Sequence, residues 1–339
     1  ALNTVWRSTD LGENWQQRVQ TAWTSGGRYG HASVIDSSDK MYVLGGHDGT
    51  NFLQEIWYSG GTDDGSSWSE QTVTGGQWTA RARHAAVITS GGRIYVLGGQ
   101  DTSGVLNDVW YSDDGGATWS EKTYNSDEIF SARKSHIALI SSNDRIYVMG
   151  GRDTNGDRLN DVWYSDDPVN GIWHESTTSA WNDGRFAFAG VVDSYNRLYV
   201  LGGQGYSRYN DVYMSDDGQG SAWNVVANSA EWSERDSHSA VIDSNNNIYI
   251  IAGQENWQTG QGYLDDVYYK TGGTDSQWQN SLIEIYKPNY SDSGNIFYEI
   301  SGIYPSTDKS NKTISPSNCY LKKQKFYSGG TRSQKGSET

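Results

Sequence analysis

A single cysteine, Cys319, is the only thiol in the chain, so a disulfide framework and a cysteine-built metal cluster are both excluded. Proline is scarce as well, 4 residues in 339; with 15 Trp and 23 Tyr present, this is not the composition of a disordered chain. Cations are in deficit. Lys and Arg number 26 against 41 Asp and Glu, and the net charge of -15 argues against nucleic acid or an anionic membrane as the main partner. No apolar run approaches the length of a membrane span, so no membrane insertion is expected. No stretch holds a helical period between caps, and the HExxH, EF-hand and phosphate-loop spacings are missing. Asp153-Thr154-Asn155-Gly156-Asp157 looks calcium-like, but its glycine comes too early for an EF-hand loop, and it reads as a turn. What remains is a chain with 40 Gly and many large rings, able to bury a sizeable core: a glycine-punctuated all-β protein.

The rings and glycines recur in register. LNDVWYSDDGGATW at 106–119 returns as LNDVWYSDDPVNGIW at 159–173 and YNDVYMSDDGQGSAW at 209–223, with looser copies at 53–68 and 264–278. The N-terminal LNTVWRSTDLGENW, 2–15, is the same block once more. Trp15, Trp68, Trp119, Trp173, Trp223 and Trp278 are therefore spaced by 53, 51, 54, 50 and 55 residues. A second block alternates with the first: RYGHASVIDSSDKMYVLGG and four relatives, each with an Arg three residues before a His, or before Phe188 in the fourth. Two short apolar runs, a Gly-Gly stop and two aromatic-bearing runs predict four strands per unit. One such meander cannot cover both of its faces, and packing the units radially buries them.

RYGHASV and IYVLGG resemble the first two strands of the kelch repeat, and the resemblance covers about residues 1–278. It implies a β-propeller of four-stranded blades. Ser8-Thr9-Asp10-Leu11-Gly12-Glu13-Asn14-Trp15 and Ser112-Asp113-Asp114-Gly115-Gly116-Ala117-Thr118-Trp119 are also similar to the Asp-box hairpin of sialidases and other secreted propellers. A secreted or extracellular location is expected on that ground, with Asn289 and Asn311 as sequon acceptors in that setting.

Five complete units run from Arg28 to about Trp278, and residues 1–20 form the second half of another. SDSGNIFYEISG at 291–302 resembles a degraded DSNNNIYIIAG. Six blades are therefore expected, the half-blade closing with C-terminal strands at about 281–302; a fragment of a seven-bladed parent is the alternative. The propeller is assigned to 1–302 and an irregular basic tail to 303–339. Residues 279–339 hold 8 basic and 5 acidic groups, against 18 and 36 in the body.

Arg28, Arg81, Arg133, Arg185 and Arg235 are the candidate ligand-binding residues. Each lies just before an innermost strand, so ring closure would carry all five toward the mouth of the central channel. There their guanidinium forks would suit a carboxylate, sulfate or phosphate. In kelch domains that bind acidic peptides, the resemblance implies, Arg at this place engages carboxylates. The competing reading is that each pairs with a nearby Asp or a loop carbonyl and braces its own blade. His31, His84, His136 and His238 read as inner-strand residues bonded to the next blade rather than as metal ligands. The Asp-Asp pairs at 63–64, 113–114, 166–167, 216–217 and 265–266 read as hairpin residues spread around the rim. Tyr29, Tyr206, Tyr209, Trp257 and Tyr263 could stack on sugars.

With no complete catalytic constellation, the expected function is recognition of an anionic group on a glycan or on an acidic peptide or protein, with neither metal nor cofactor. The alternative is a carbohydrate-active enzyme of the kelch type, a sialic-acid epimerase or polysaccharide lyase. A copper oxidase would need a Cys–Tyr crosslink, and Cys319 lies in the tail.

Overall fold

A computed structural model describes residues 3–10, 12, 14–60, 65–255, 262–270 and 279–281. Alternating apolar runs separated by Asp- and Gly-rich turns form antiparallel strands throughout, and these are grouped into five four-stranded sheets and one two-stranded sheet. Blade 1 consists of β3 (Ala32–Ile35), β4 (Met41–His47), β5 (Phe52–Ser59) and β6 (Trp68–Glu70). Blade 2 consists of β7 (Ala85–Ile88), β8 (Ile94–Gln100), β9 (Val105–Ser112) and β10 (Ser120–Lys122). Blade 3 runs through β11 (Ile137–Ile140), β12 (Ile146–Arg152), β13 (Arg158–Ser165) and β14 (His174–Thr177). Blade 4 runs through β15 (Ala189–Val192), β16 (Leu198–Gln204), β17 (Arg208–Ser215) and β18 (Asn224–Ala227). Blade 5 holds β19 (Ser239–Ile242), β20 (Ile248–Gln254), β21 (Tyr263–Lys270) and β22 (Gln279–Ser281). The chain is a β-propeller.

The expectation of six or seven blades is corrected: the described residues form five. The N-terminal half-repeat begins at the third strand of its unit, so it yields only a hairpin of β1 (Val5–Arg7) and β2 (Gln16–Val19). That hairpin is wedged between the first and last blades. Val5 and Val19 pack with Val43, Trp57 and Trp68 of blade 1. Trp15 packs with Tyr249, Ile251 and Val267 of blade 5. Of the closing strands expected at about 281–302, Ser281 ends β22 of blade 5; the remainder and the tail at 303–339 lie outside the described residues.

The core lies between blades rather than within them. Val34, Leu44 and Ile56 of blade 1 meet Ile88, Ile94 and Val96 of blade 2, and the same layering recurs at the next three interfaces. A ring from each connecting segment fills the outer part of each interface. Trp78, Trp181 and Phe130 stand edge-on to Trp119, Trp223 and Trp173, with centroids 6.0, 5.5 and 5.0 Å apart. Such contacts add about 0.5–1.5 kcal/mol beyond the area they bury. The hairpin between the third and fourth strands is tied locally. Ser112 Oγ donates to Asp114 Oδ1 at 2.8 Å and accepts the Gly116 amide at 2.9 Å, while Trp119 Nε1 donates to the Gly116 carbonyl at 3.0 Å.

In blades 1 to 4 two glycines stand near the end of the second strand because backbone carbonyls and a histidine or phenylalanine crowd them. A Cβ on Gly98 would stand 2.9 Å from the Leu106 carbonyl, 3.1 Å from the Arg133 carbonyl and 3.3 Å from His136 Cε1 of the next blade, and one on Gly99 would stand 2.6 Å from His84 Cβ of its own blade. Both glycines take positive φ, 53° and 99°. Blade 5, whose following inner strand is not among the described residues, has Ala252 in place of the first glycine.

Around the hub the blades are linked amide to carbonyl. Arg83 N donates to Gly30 O at 2.6 Å, Ser135 N to Arg83 O at 2.9 Å, Ala187 N to Ser135 O at 2.9 Å and Ser237 N to Ala187 O at 2.7 Å. Gly30, Arg83, Ser135, Ala187 and Ser237 all hold left-handed φ between 52° and 61°. That geometry costs a non-glycine residue on the order of 1–3 kcal/mol and persists because the hub bonds enforce it.

Candidate functional site

The five repeat arginines do not line the channel mouth. Arg81, Arg133 and Arg235 are 0% exposed, Arg185 is 1% and Arg28 is 2%. Arg81 Nη1 and Nη2 reach Asp108 Oδ1 and Oδ2 at 2.6 and 2.7 Å, and Nη1 also donates to the Gly98 carbonyl at 2.9 Å. Arg133 repeats this with Asp161 and Gly150, Arg185 with Asp211 and Gly202, and Arg235 with Asp266 and Ala252. Arg28 pairs with Glu55 at 2.8 Å and donates to Gly45 at 2.9 Å. The expected anion receptors are thus internal braces. Their forks are filled by carboxylates from the third strand, and an incoming anion would have to displace these.

Each brace also spans two blades. The backbone amide of Arg81 donates to Leu53 O of blade 1 at 2.9 Å, and its carbonyl accepts from Gly46 N at 2.8 Å, while its guanidinium engages blade 2. Arg133, Arg185 and Arg235 are held in the same way by Leu106, Leu159 and Tyr209. The acidic partners were missed in the repeat reading, although a signal was there. The position of Asp108 is Asp or Glu in all five full units but Thr4 in the half-unit.

His31, His84, His136 and His238 are buried beneath the Gly-Gly pairs. Burial, and then the neighbouring arginine, push His31, His136 and His238 down to about 3, and His84 is pushed well below its ordinary value. They are neutral packing groups, which is why Phe188 can stand in for one. Three Asp-Asp pairs, at 113–114, 166–167 and 216–217, fall on hairpins: Asp113 and Asp166 pair with Arg93 and Arg145, both at 2.6 Å, and Asp114 and Asp167 accept amides of their own turns. The hairpin reading of 265–266 is corrected, since this pair lies within β21 and Asp266 is the partner of Arg235; the pair at 63–64 lies outside the described residues. Among the described residues no cluster of His, Cys, Asp and Glu could hold a metal ion.

A different set of cations gathers at one end of the blades. Residues that follow the repeat arginine, that end a second strand or that begin a third strand share one end of the blades. In blades 2 and 3 this end carries Arg83, Lys134, Arg152 and Arg158. Lys134 and Arg152 face each other across a bridge, and Arg152 pairs with Arg158 across β12–β13. Arg152 lies 3.9 Å over the Phe186 ring and Arg158 lies 4.0 Å over Tyr206, which is 85% exposed. Buried Nε atoms of Arg152 and Arg158 have no hydrogen-bond partner, and Arg83, Arg152 and Arg158 make no ion pair among the described residues. Farther round, Asp236 neutralises Arg208. At the opposite end, Arg93, Arg145 and Arg197 are each matched by a carboxylate. Of the rim aromatics, Tyr209 donates to Asp183 at 2.8 Å and Tyr29 packs on His47; Trp257 lies outside the described residues.

A family model described as the KLHDC2/KLHL20/DRC7 Kelch-repeats domain matches residues 1–185. Another, the DUF6242 beta propeller domain, matches residues 141–271. The chain is 26% identical over 211 residues to a leucine-zipper-like transcriptional regulator 1 homolog of Drosophila melanogaster, covering 60% of this chain and 21% of the relative. It is 26% identical over 200 residues to the dynein alpha chain of the flagellar outer arm of Chlamydomonas reinhardtii, covering 53% of this chain and 4% of the relative. The chain thus spans about a fifth of the first relative's length and a small fraction of the second's.

Proposed function

The chain belongs to the Kelch-repeat family, and from that premise we propose that it is a protein-binding propeller whose channel mouth holds an anionic group of its partner. Stretches similar to this chain occur within two long relatives whose names share no chemistry, a transcriptional regulator homolog and a dynein chain. That pattern suits a binding module better than one conserved reaction. The observation that carries the reading is the set Arg83, Lys134, Arg152 and Arg158, cations with no carboxylate partner among the described residues, in a chain of net charge -15. Unmatched guanidiniums beside exposed rings suit a peptide carboxylate flanked by apolar side chains.

A short polyglutamate peptide titrated into the full chain tests this, with a sulfated glycan run in parallel. Arg83→Ala and Arg152→Ala should each weaken peptide binding roughly tenfold or more, the scale of one lost charge-assisted contact, while leaving thermal unfolding in place. Added salt should weaken wild-type binding. Affinity indifferent to both substitutions would end the proposal, and a preference for the glycan would redirect it.

A further inference from the structure

Lys134 stands where the chain enters blade 3, half-buried, with Arg83 and Arg152 beside it. Its backbone exchanges hydrogen bonds with Arg152 in both directions at 2.9 Å, so the two side chains leave the same face of that pair. The next residue, Ser135, donates to the carbonyl of Arg83 at 2.9 Å, which brings a third cation alongside from blade 2. Lys134 Nζ donates to Gln100 Oε1 at 2.9 Å, an uncharged acceptor. Asp153, on the turn after Arg152, is engaged by the amides of Asn155 and Asp157, both at 2.8 Å. Burial, then Arg83, then Arg152 lower the Lys134 ammonium below its ordinary value.

Two things follow for the amine. More of it is neutral and nucleophilic than for an exposed lysine, and an anion built on Nζ would meet two unmatched guanidiniums. An acyl group would exploit only the first, since it removes the charge without supplying one. Carbon dioxide exploits both.

We propose that Lys134 is a carbamylation site whose carbamate is held between Arg83 and Arg152. The neutral amine attacks carbon dioxide, an N–C bond forms as one C=O electron pair moves onto oxygen, and one N–H proton passes to water. The mouth then carries a negative charge where it had a positive one. The consequence for function rests on the binding reading above: rising carbon dioxide would release an acidic partner. Formation of the carbamate does not depend on that reading.

The test uses the full chain in ¹³C-labelled bicarbonate, with the carbamate observed by NMR and then trapped by alkylation and located by mass spectrometry. Wild type should show a carbamate at residue 134. Lys134→Arg should show none there, and Arg152→Gln, if folded by circular dichroism, should show several-fold less. No adduct at 134, or one no greater than at Lys40 and Lys122, would overturn the proposal. In a parallel arm at constant ionic strength, with chloride replaced by bicarbonate, polyglutamate binding should weaken in wild type and not in Lys134→Arg. A carbamate at 134 in a chain that never binds the peptide would sink the binding reading alone; normal peptide binding without the adduct would sink this one alone.

Discussion

Arg81 grips Asp108 with two parallel hydrogen bonds, 2.6 and 2.7 Å long, while its own amide is held at 2.9 Å by Leu53 in the preceding blade. One residue thereby fixes the angle between two sheets. The guanidinium is fully enclosed and the carboxylate nearly so, with side-chain exposures of 0% and 18%.

Removing one partner should therefore cost far more than removing both. Asp161→Ala leaves Arg133 buried and unmatched, and about 3–5 kcal/mol of stability should go with it. Arg133→Met with Asp161→Leu should recover much of that loss. Urea unfolding of the two single variants and the double variant measures the coupling. Additive single losses would show that the two groups act independently.

Acid should loosen the fold through the buried histidines. Unfolded, they titrate near 6.5, whereas in the fold His31, His136 and His238 stay neutral to about 3. Below about pH 6.5 the unfolded chain takes up protons that the native chain refuses. Stability therefore falls as pH drops from 6.5 toward 3, by up to roughly 1.4 kcal/mol per pH unit for each histidine. His136→Phe, which copies Phe188, should fold and flatten the slope of stability against pH. An unchanged slope would remove this account.

Glycine substitutions should separate strain from collision. Gly156→Ala meets no atom within 4 Å and bears only its positive φ of 85°, about 1–2 kcal/mol. Gly99→Ala adds a Cβ that would sit 2.6 Å from His84 Cβ and should cost several kcal/mol more. Thermal melts of the two variants give the comparison directly; equal losses would mean the histidine can move aside.

The connecting-segment rings should matter as much as the strands. Trp78 is 0% exposed and stands edge-on to Trp119. Trp78→Ala should cost about 3–5 kcal/mol, and Trp78→Phe clearly less, because Phe130 fills the same place in the next interface. Denaturant midpoints of the two variants settle the order.

The blades were legible because their rings, glycines and arginines repeat with a fixed spacing. The direction of the arginine side chains was not. Position before the inner strand pointed to the channel, whereas the carboxylate that draws the side chain inward lies about 27 residues later, from Arg81 to Asp108. Thr4 in the one unit lacking a described arginine was the available clue. The cations at one end of blades 2 and 3 escaped notice for the opposite reason. The residue after the repeat arginine is Tyr29, Ala82, Lys134, Phe186 or Asp236 in turn, so aligning the units discards it. Packing residues recur because every interface poses the same physical problem; a ligand touches some blades and not others, and its contacts are written in the exceptions.

The double allegiance of the bracing arginines leaves no single blade that can be transplanted cleanly. A graft joined in the connecting segment between two sheets, just ahead of Arg133, would carry off the guanidinium and leave its backbone moorings on Leu106 and Gly99 behind. A junction at the outer hairpin tip, near Gly115, parts the same bonds, because the brace built on Arg81 runs from Gly46 to Asp108 and the one built on Arg133 from Gly99 to Asp161. Successive braces overlap, and blades should exchange between propellers only together with the neighbour that moors them.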